Sequence, residues 1–367
     1  MNPQFEIQLI AVIISVSCAL PGAFLVLRKM AMMSDSITHT ILLGIVLAFF
    51  ATGDMSSPLL ITGAAAVGVI TVWLTEMLVK TRLVVEDSAI GIIFPLLFSI
   101  AVILITRYAS SVHIDTDSVM LGELAFAPFR RMVVAGRDIG ARAIYTSGAL
   151  LVINIVLTAV FFKELALATF DPLLATVLGF SPAFIYYGLM TLVSVTAVGA
   201  FEAVGSILVV AFMAGPPVTA YLLTDDLKTM LVFSGCFSVL GAIFGCRLAS
   251  LFDVSIAGSI TVVIGLLFML VLCFAPKKGL IAVLLRKARQ RREFAKNTLL
   301  IHVCKNPKCI LCDARSSLRW DDKKLRRTVC DLLREQKIEL RSGYITATQH
   351  GVDSAGEFLR GIFDDDY

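Results

Sequence analysis

Nine apolar runs, separated by short polar breaks, decide what this chain can fold into. They cover about 7–27, 37–52, 58–79, 88–106, 143–162, 183–200, 203–223, 230–250 and 255–274. A helix needs about 20 predominantly apolar residues to cross a hydrocarbon core. No water inside lipid satisfies backbone N–H and C=O groups, so such runs are helical. A water-soluble core has no use for so many separate runs of that length. With 57% of its 367 residues hydrophobic and a mean hydropathy of +0.86, the chain reads as an all-α polytopic membrane protein. The second run is short, and the sixth and seventh nearly fuse around Ala200-Phe201-Glu202, so eight and nine crossings are both open.

Charge divides the chain. Residues 1–276 hold 12 Lys/Arg against 16 Asp/Glu, whereas residues 277–367 hold 20 against 12. The sequence therefore reads as a transmembrane domain over 1–276, a basic juxtamembrane linker over 277–292 and a water-soluble tail over 293–367. The linker carries seven Lys/Arg and no acid, which suits anionic headgroups at an inner leaflet. Positive charge marks the cytoplasmic side. Arg28/Lys29, Lys80/Arg82, Lys163, Lys228 and the tail all fall on one side of a nine-span chain, which puts the N-terminus outside. Arg130, Arg131, Arg137 and Arg142, in the long 107–142 connection, break that rule. The N-terminus lacks the basic region of a cleaved signal peptide. Cys18, Cys236, Cys246 and Cys273 sit in or beside apolar runs as small hydrophobes. The other four cysteines lie in the tail and are reduced if the tail is cytosolic.

The stretch Met33-Ser34-Asp35-Ser36-Ile37-Thr38-His39-Thr40 opens the second run. An ionisable group at membrane depth costs roughly 2.5–3.5 kcal/mol on insertion scales, so it needs a reason. Asp35 and His39 are four apart and share one helix face. A carboxylate and an imidazole suit Mn²⁺, Zn²⁺ or Fe²⁺ and suit Cu(I) poorly. The alternative is that Ser34 or Asp35 caps the helix. Glu202 is a second interior acid, placed to line a pathway or to cap the following helix. Gly215-Pro216-Pro217 is expected to disrupt the 203–223 helix, because proline removes a donor and clashes with the preceding turn. His113, Asp115 and Asp117 alternate, and a solvated loop accounts for them better than an entry site for a cation does, since ligand-like residues in a loop are weak evidence.

Between the fifth and sixth runs, Phe170-Asp171-Pro172 opens a helix: Asp caps and Pro fits the first turn. Leu173-Leu174-Ala175-Thr176-Val177-Leu178 is too short to span, and Gly179 ends it. A docking element and an ordinary interfacial connector both fit such a helix. There is no G-x-x-x-x-G-K-[ST], no H-E-x-x-H and no G-x-S-x-G, so neither an ATPase of the phosphate-loop kind nor a hydrolase is supported.

These residues resemble a known family. Met33-Ser34-Asp35-Ser36-Ile37-Thr38-His39 is similar to the signature of the permease subunits of manganese/zinc/iron ABC importers, the Znu/Tro/Psa group. Thr169-Phe170-Asp171-Pro172-Leu173-Leu174-Ala175 resembles that family's ATPase-contacting segment, with Thr169 where relatives often carry serine. Ala203-Val204-Gly205-Ser206-Ile207-Leu208-Val209-Val210-Ala211 and Thr219-Ala220-Tyr221-Leu222 are also family-like. The resemblance implies a permease importing a divalent transition metal across the inner membrane, with no permanently bound cofactor and no enzymatic activity of its own. It implies two permease chains, a cytoplasmic ABC ATPase and an extracytoplasmic metal-binding protein. It makes Asp35 and His39 pathway ligands, and Phe170, Asp171, Pro172, Leu173 and Leu174 the ATPase contact. The rivals are a membrane-anchored metal sensor and a gradient-driven secondary transporter.

The tail departs from the minimal family pattern. Asp321 to Lys337 is an amphipathic helix with Leu325, Val329, Leu332 and Leu333 on one face. Ile338-Glu339-Leu340 and Tyr344-Ile345-Thr346-Ala347 are expected to pair across Arg341-Ser342-Gly343, and a helix at about 350–363 follows. The order resembles the end of a winged-helix module of the metal-dependent repressor type, although nucleic acid is not an expected partner. His302, Cys304, Cys309 and Cys312 are a candidate thiolate metal site, against spare cytosolic thiols.

Overall fold

A computed structural model describes residues 3–53, 59–108, 124–129, 131–134, 137–306, 309–341 and 344–363. The chain falls into two compact units, residues 1–279 and 280–367.

Among the described residues of the first unit, nine helices are long and apolar enough to cross a membrane. They are α1 (Pro3–Leu27), α2 (Ala31–Thr52), α3 (Leu59–Lys80), α4 (Glu86–Tyr108), α5 (Arg142–Val160), α8 (Pro182–Val204), α9 (Ser206–Leu223), α10 (Leu227–Phe252) and α11 (Ile256–Phe274). Between α5 and α8 lie two short helices, α6 (Phe162–Phe170) and α7 (Pro172–Val177). Two sequence ambiguities disappear. The second span is a full 22 residues, because the polar stretch before Ile41 is itself helical. The sixth and seventh spans separate at Gly205, whose φ of +78° and ψ of 169° suit glycine and end α8.

The core is built where α1, α2, α8 and α9 meet. Ile10, Ile14 and Leu25 of α1 pack with Met33, Ile37 and Ile41 of α2, Met190 of α8, and Leu208, Phe212 and Met213 of α9. The outer helices α5 and α11 instead expose large apolar side chains such as Val152, Val156, Leu266 and Leu270, as lipid-facing helices do. Interior polar groups are paired across helices. Asn154 donates to Ser17 O (3.1 Å) and lies 3.0 Å from Thr196 Oγ1, which ties α1, α5 and α8 together.

The expected break at Pro216-Pro217 is absent: α9 runs unbroken from Ser206 to Leu223 with both prolines inside and buried. Pro217 removes the helical donor for Met213 O, and α1 approaches that carbonyl at Gly22. A Cβ on Gly22 would stand 2.1 Å from Met213 O. The helix continues past both prolines where α1 packs closely against it. Thr219 Oγ1 also donates to Gly215 O (2.8 Å).

The 107–142 connection holds a 3₁₀ turn (Leu124–Phe129) and an antiparallel pair, β1 (Arg131–Val134) with β2 (Arg137–Ala141). Leu124 and Ala127 are buried in the main core. His113, Asp115 and Asp117 lie outside the described residues.

In the second unit the order is α12 (Leu280–Lys305), β3 (Cys309–Ile310), α13 (Leu311–Leu318), α14 (Asp322–Arg334), β4 (Ile338–Arg341), β5 (Tyr344–Ala347) and α15 (Gln349–Phe363). The basic residues Arg286 to Arg292 belong to α12. The strands form a small antiparallel sheet in the order β3-β5-β4. Leu299, Leu300 and Val303 pack against Leu325, Leu332, Ile338 and Ile345 in a separate core. Lys296, 7% exposed, lies 3.1 Å from Glu293 and is hydrogen-bonded to Glu335. Burial pushes the Glu335 carboxyl up, but its bonds to Lys296 and Lys337 overcome this and hold it below the usual range.

Candidate functional site

The α1–α2 turn is short and closed by backbone hydrogen bonds. Lys29 adopts φ +63°, and its N–H donates to Val26 O while that of Met30 donates to Leu25 O. Helix α2 begins directly after it, with Met30 as N-cap and no side-chain cap bond. Asp35 therefore sits inside the helix, in its second turn, and capping does not explain it. Ser34 does not cap either, since its hydroxyl donates to Ala31 O (2.7 Å).

Asp35 Oδ1 and His39 Nε2 are 3.4 Å apart, on side chains 36% and 19% exposed. The two groups are thus neighbours on one face, with enough access for an ion to reach both. Their surroundings are polar for a membrane interior: Ser34, Ser36, Thr38 and Thr40 are all buried. Thr38 donates to Asp35 O (2.8 Å), and Thr71 of α3 donates to the Thr40 hydroxyl (2.9 Å). The Ser36 hydroxyl is buried and has no hydrogen-bond partner among the described residues. The imidazole is walled by α4, with the Phe94 ring centroid at 5.1 Å and Phe98 edge-on at 6.2 Å. The sequence offered no signal for that wall, since two phenylalanines four apart are ordinary in an apolar span. Among the described residues no group of three or more His, Cys, Asp or Glu converges as a metal site. The described side chains thus offer an ion a two-ligand start rather than a closed cage.

A cavity of about 580 Å³ opens beside this end of α2. Met30 and Met33 line it together with Arg28, Glu76 of α3, Glu86 of α4, Thr169, Pro172 and Tyr186. The Tyr187 hydroxyl donates to Glu76, and Lys80 lies 2.8 Å from the same carboxylate. Across the turn, Arg28 Nη2 donates to Ala168 O (3.0 Å) and its Nε to Thr169 Oγ1 (3.3 Å). Burial pulls the Arg28 pKa below its ordinary value.

Ala168 and Thr169 lead into the short helix anticipated at 172–178. Asp171 caps it, with Oδ1 accepting from Leu174 N (2.9 Å), and Gly179 ends it with φ +86°. Phe170 (62% exposed), Leu173 (80%) and Val177 (83%) form an uncovered apolar surface on α6–α7, with Leu174 also exposed.

Glu202 is not brought to the pair. It lies in the last turn of α8, whose first residue, Pro182, lines the same cavity as Met33. At 1.5 Å per residue that places Glu202 roughly 27 Å farther along the bundle than Asp35. There it lines a small separate cavity with Arg142 and Thr146. In the tail, His302 and Cys304 are two apart on α12, so they point to opposite sides of it. Cys304 packs against the tail core, and burial raises its thiol pKa. The side chains of Cys309 and Cys312 lie outside the described ones.

The chain's relatives agree with one another. Residues 4–275 match the model of the ABC 3 transport family. The zinc transport system membrane protein TroD of Treponema pallidum is 41% identical, over 95% of this chain and 97% of its own length. The manganese transport system membrane protein MntD of Bacillus subtilis is 42% identical, over 80% of this chain and 99% of its own. Among solved structures, PsaBC from Streptococcus pneumoniae in complex with Fab aligns with a TM-score of 0.63 at 27% identity, over 76% of this chain and 94% of that one. The chain belongs to the ABC 3 transport family and is the membrane-spanning permease component of such a system, a transporter subunit and not an enzyme.

Proposed function

We propose that this permease carries a divalent transition metal, Mn²⁺, Zn²⁺ or Fe²⁺, inward across the inner membrane, with Asp35 and His39 as ligands on the way. The observation that carries the reading is the pair itself. A carboxylate and an imidazole 3.4 Å apart lie inside a membrane helix that neither of them caps, and ionisable groups at that depth mark pathways. Relatives named for manganese and zinc transport support the same class of cargo. Oxygen and nitrogen donors fit all three ions, so geometry and supply select among them.

In this reading an extracytoplasmic binding protein delivers the ion, and a second permease chain completes the pathway and its coordination. A separate cytoplasmic ATPase docks on Phe170, Asp171, Pro172, Leu173 and Leu174. The uncovered apolar surface of α6–α7 is what supports that docking site. The tail is cytoplasmic, and its helix, strand and sheet order supports a winged-helix type of module. Reconstituted vesicles test the reading. Uptake of ⁵⁴Mn²⁺ or ⁶⁵Zn²⁺ is expected only with the cognate ATPase, the binding protein and ATP together. Uptake driven by an ion gradient without the ATPase would establish a secondary transporter instead.

A further inference from the structure

We propose that Arg28 is the positioning residue through which movement of the α6–α7 segment reaches the Asp35–His39 pair. The inference rests on the reading of α6–α7 as the ATPase contact and of the pair as the metal pathway.

Three observations converge on this side chain. First, Arg28 grips the segment at two adjacent points, Ala168 O (3.0 Å) and Thr169 Oγ1 (3.3 Å), next to Phe170. The guanidinium also lies 5.4 Å from the ring of Tyr186 on α8. A planar fork with several donors can hold a carbonyl and a hydroxyl at once, which an ammonium does less well. Second, the ground around the grip is open. The cavity is lined on one side by Leu27, Met30 and Met33 and on the other by Ala168, Thr169 and Pro172. Among the described residues, Phe24 of α1 packs with Leu165 of α6, and the polar grip adds a second connection beside that contact. Third, nothing slack separates Arg28 from the pair. The turn after it is pinned by bonds from Lys29 N, Met30 N and Met33 N, and α2 begins at Ala31. A shift of the guanidinium therefore tilts the first turns of α2, which carry Asp35 and His39. Such a shift changes the distance from the imidazole to Phe94 and Phe98 on α4.

The test compares wild type with Arg28→Lys, Arg28→Ala and Thr169→Val in vesicles holding the cognate ATPase and binding protein. Metal uptake and ATP hydrolysis are measured together. The quantity read is metal moved per ATP hydrolysed, which a purely structural role would leave unchanged among correctly assembled complexes. The expected result is a fall of about tenfold for Arg28→Ala and a smaller fall for Arg28→Lys and Thr169→Val, as befits loss of a charge-assisted bond. The double variant Arg28→Lys with Thr169→Val should fall by less than the product of the two single falls. If Arg28→Ala does not assemble, Arg28→Lys and Thr169→Val carry the test. An unchanged ratio in those two variants, with full assembly, overturns the proposal. Asp35→Ala in the same vesicles separates the two claims. Loss of uptake there, with an unchanged ratio in the Arg28 and Thr169 variants, removes Arg28 alone. Retained uptake there removes the pathway reading beneath it.

Discussion

At the scale of single residues, the structure turns on close approaches that one added atom would ruin. Gly22 is the clearest case: a Cβ there meets the Met213 carbonyl at 2.1 Å. Gly22→Val should therefore destabilise the membrane unit by about 1–3 kcal/mol, the usual cost of overpacking. A fall in the detergent thermal-unfolding midpoint relative to wild type would register it, whereas Gly91→Val, where a Cβ meets nothing, should be near neutral. Asp35 and His39 stood out as candidates because their residue types are expensive at membrane depth, and the structure sets them side by side on one face of α2. Arg28 was legible only as a topology charge. Its partners are 140 and 141 residues away in sequence, and no local pattern encodes a contact of that span. Phe94 and Phe98 were silent for the opposite reason, since aromatic residues are unremarkable in an apolar helix.

At the scale of elements, local rules succeeded where the governing forces are local. Asp171 and Pro172 opened a helix as capping chemistry requires, and Gly179 closed it. Asp171→Ala should weaken α7 by about 1 kcal/mol and lower the yield of the ATPase complex. Leu173→Asp puts a charge on this exposed apolar surface and, with the ATPase docked there as proposed, should abolish its co-purification while leaving the permease folded. Local rules failed at Pro216-Pro217, because the neighbour that stabilises α9 there is α1, far away in sequence. They also missed β3. Two residues, Cys309 and Ile310, carry no periodicity, and only the edge offered by β5 makes them a strand.

At the scale of the whole molecule, the division into a membrane unit and a polar tail was written in charge and hydropathy. The tail's internal fold rests on ion pairs as well as on a small apolar core. The Arg292 hydrogen bond holds the Asp331 carboxyl below the usual carboxylate range. A depressed carboxylate stabilises the fold above its unfolded pKa of about 3.9 and loses that effect as pH falls through its folded value. Limited proteolysis of the full chain should thus find the tail more susceptible once pH falls below about 3.9 than at neutral pH. Arg292→Met should be more susceptible at neutral pH and less responsive to acid. Sidedness has its own reporter in the exposed Cys330. An impermeant maleimide should label the tail in inside-out vesicles and not in right-side-out ones, as a cytoplasmic tail requires.

Passage of the metal over Asp35 and His39, as proposed, is tested by uptake in reconstituted vesicles. ATP-dependent uptake of radiolabelled Mn²⁺ and Zn²⁺ is compared among wild type, Asp35→Ala and His39→Ala in vesicles where assembly with the ATPase is verified. Each variant should lose at least nine-tenths of uptake while remaining assembled, because losing even an outer-shell partner of a metal ligand costs on the order of ten- to a hundredfold and losing the ligand itself costs no less. Wild-type uptake rates in assembled Asp35→Ala and His39→Ala complexes would contradict it and put the route elsewhere in the bundle.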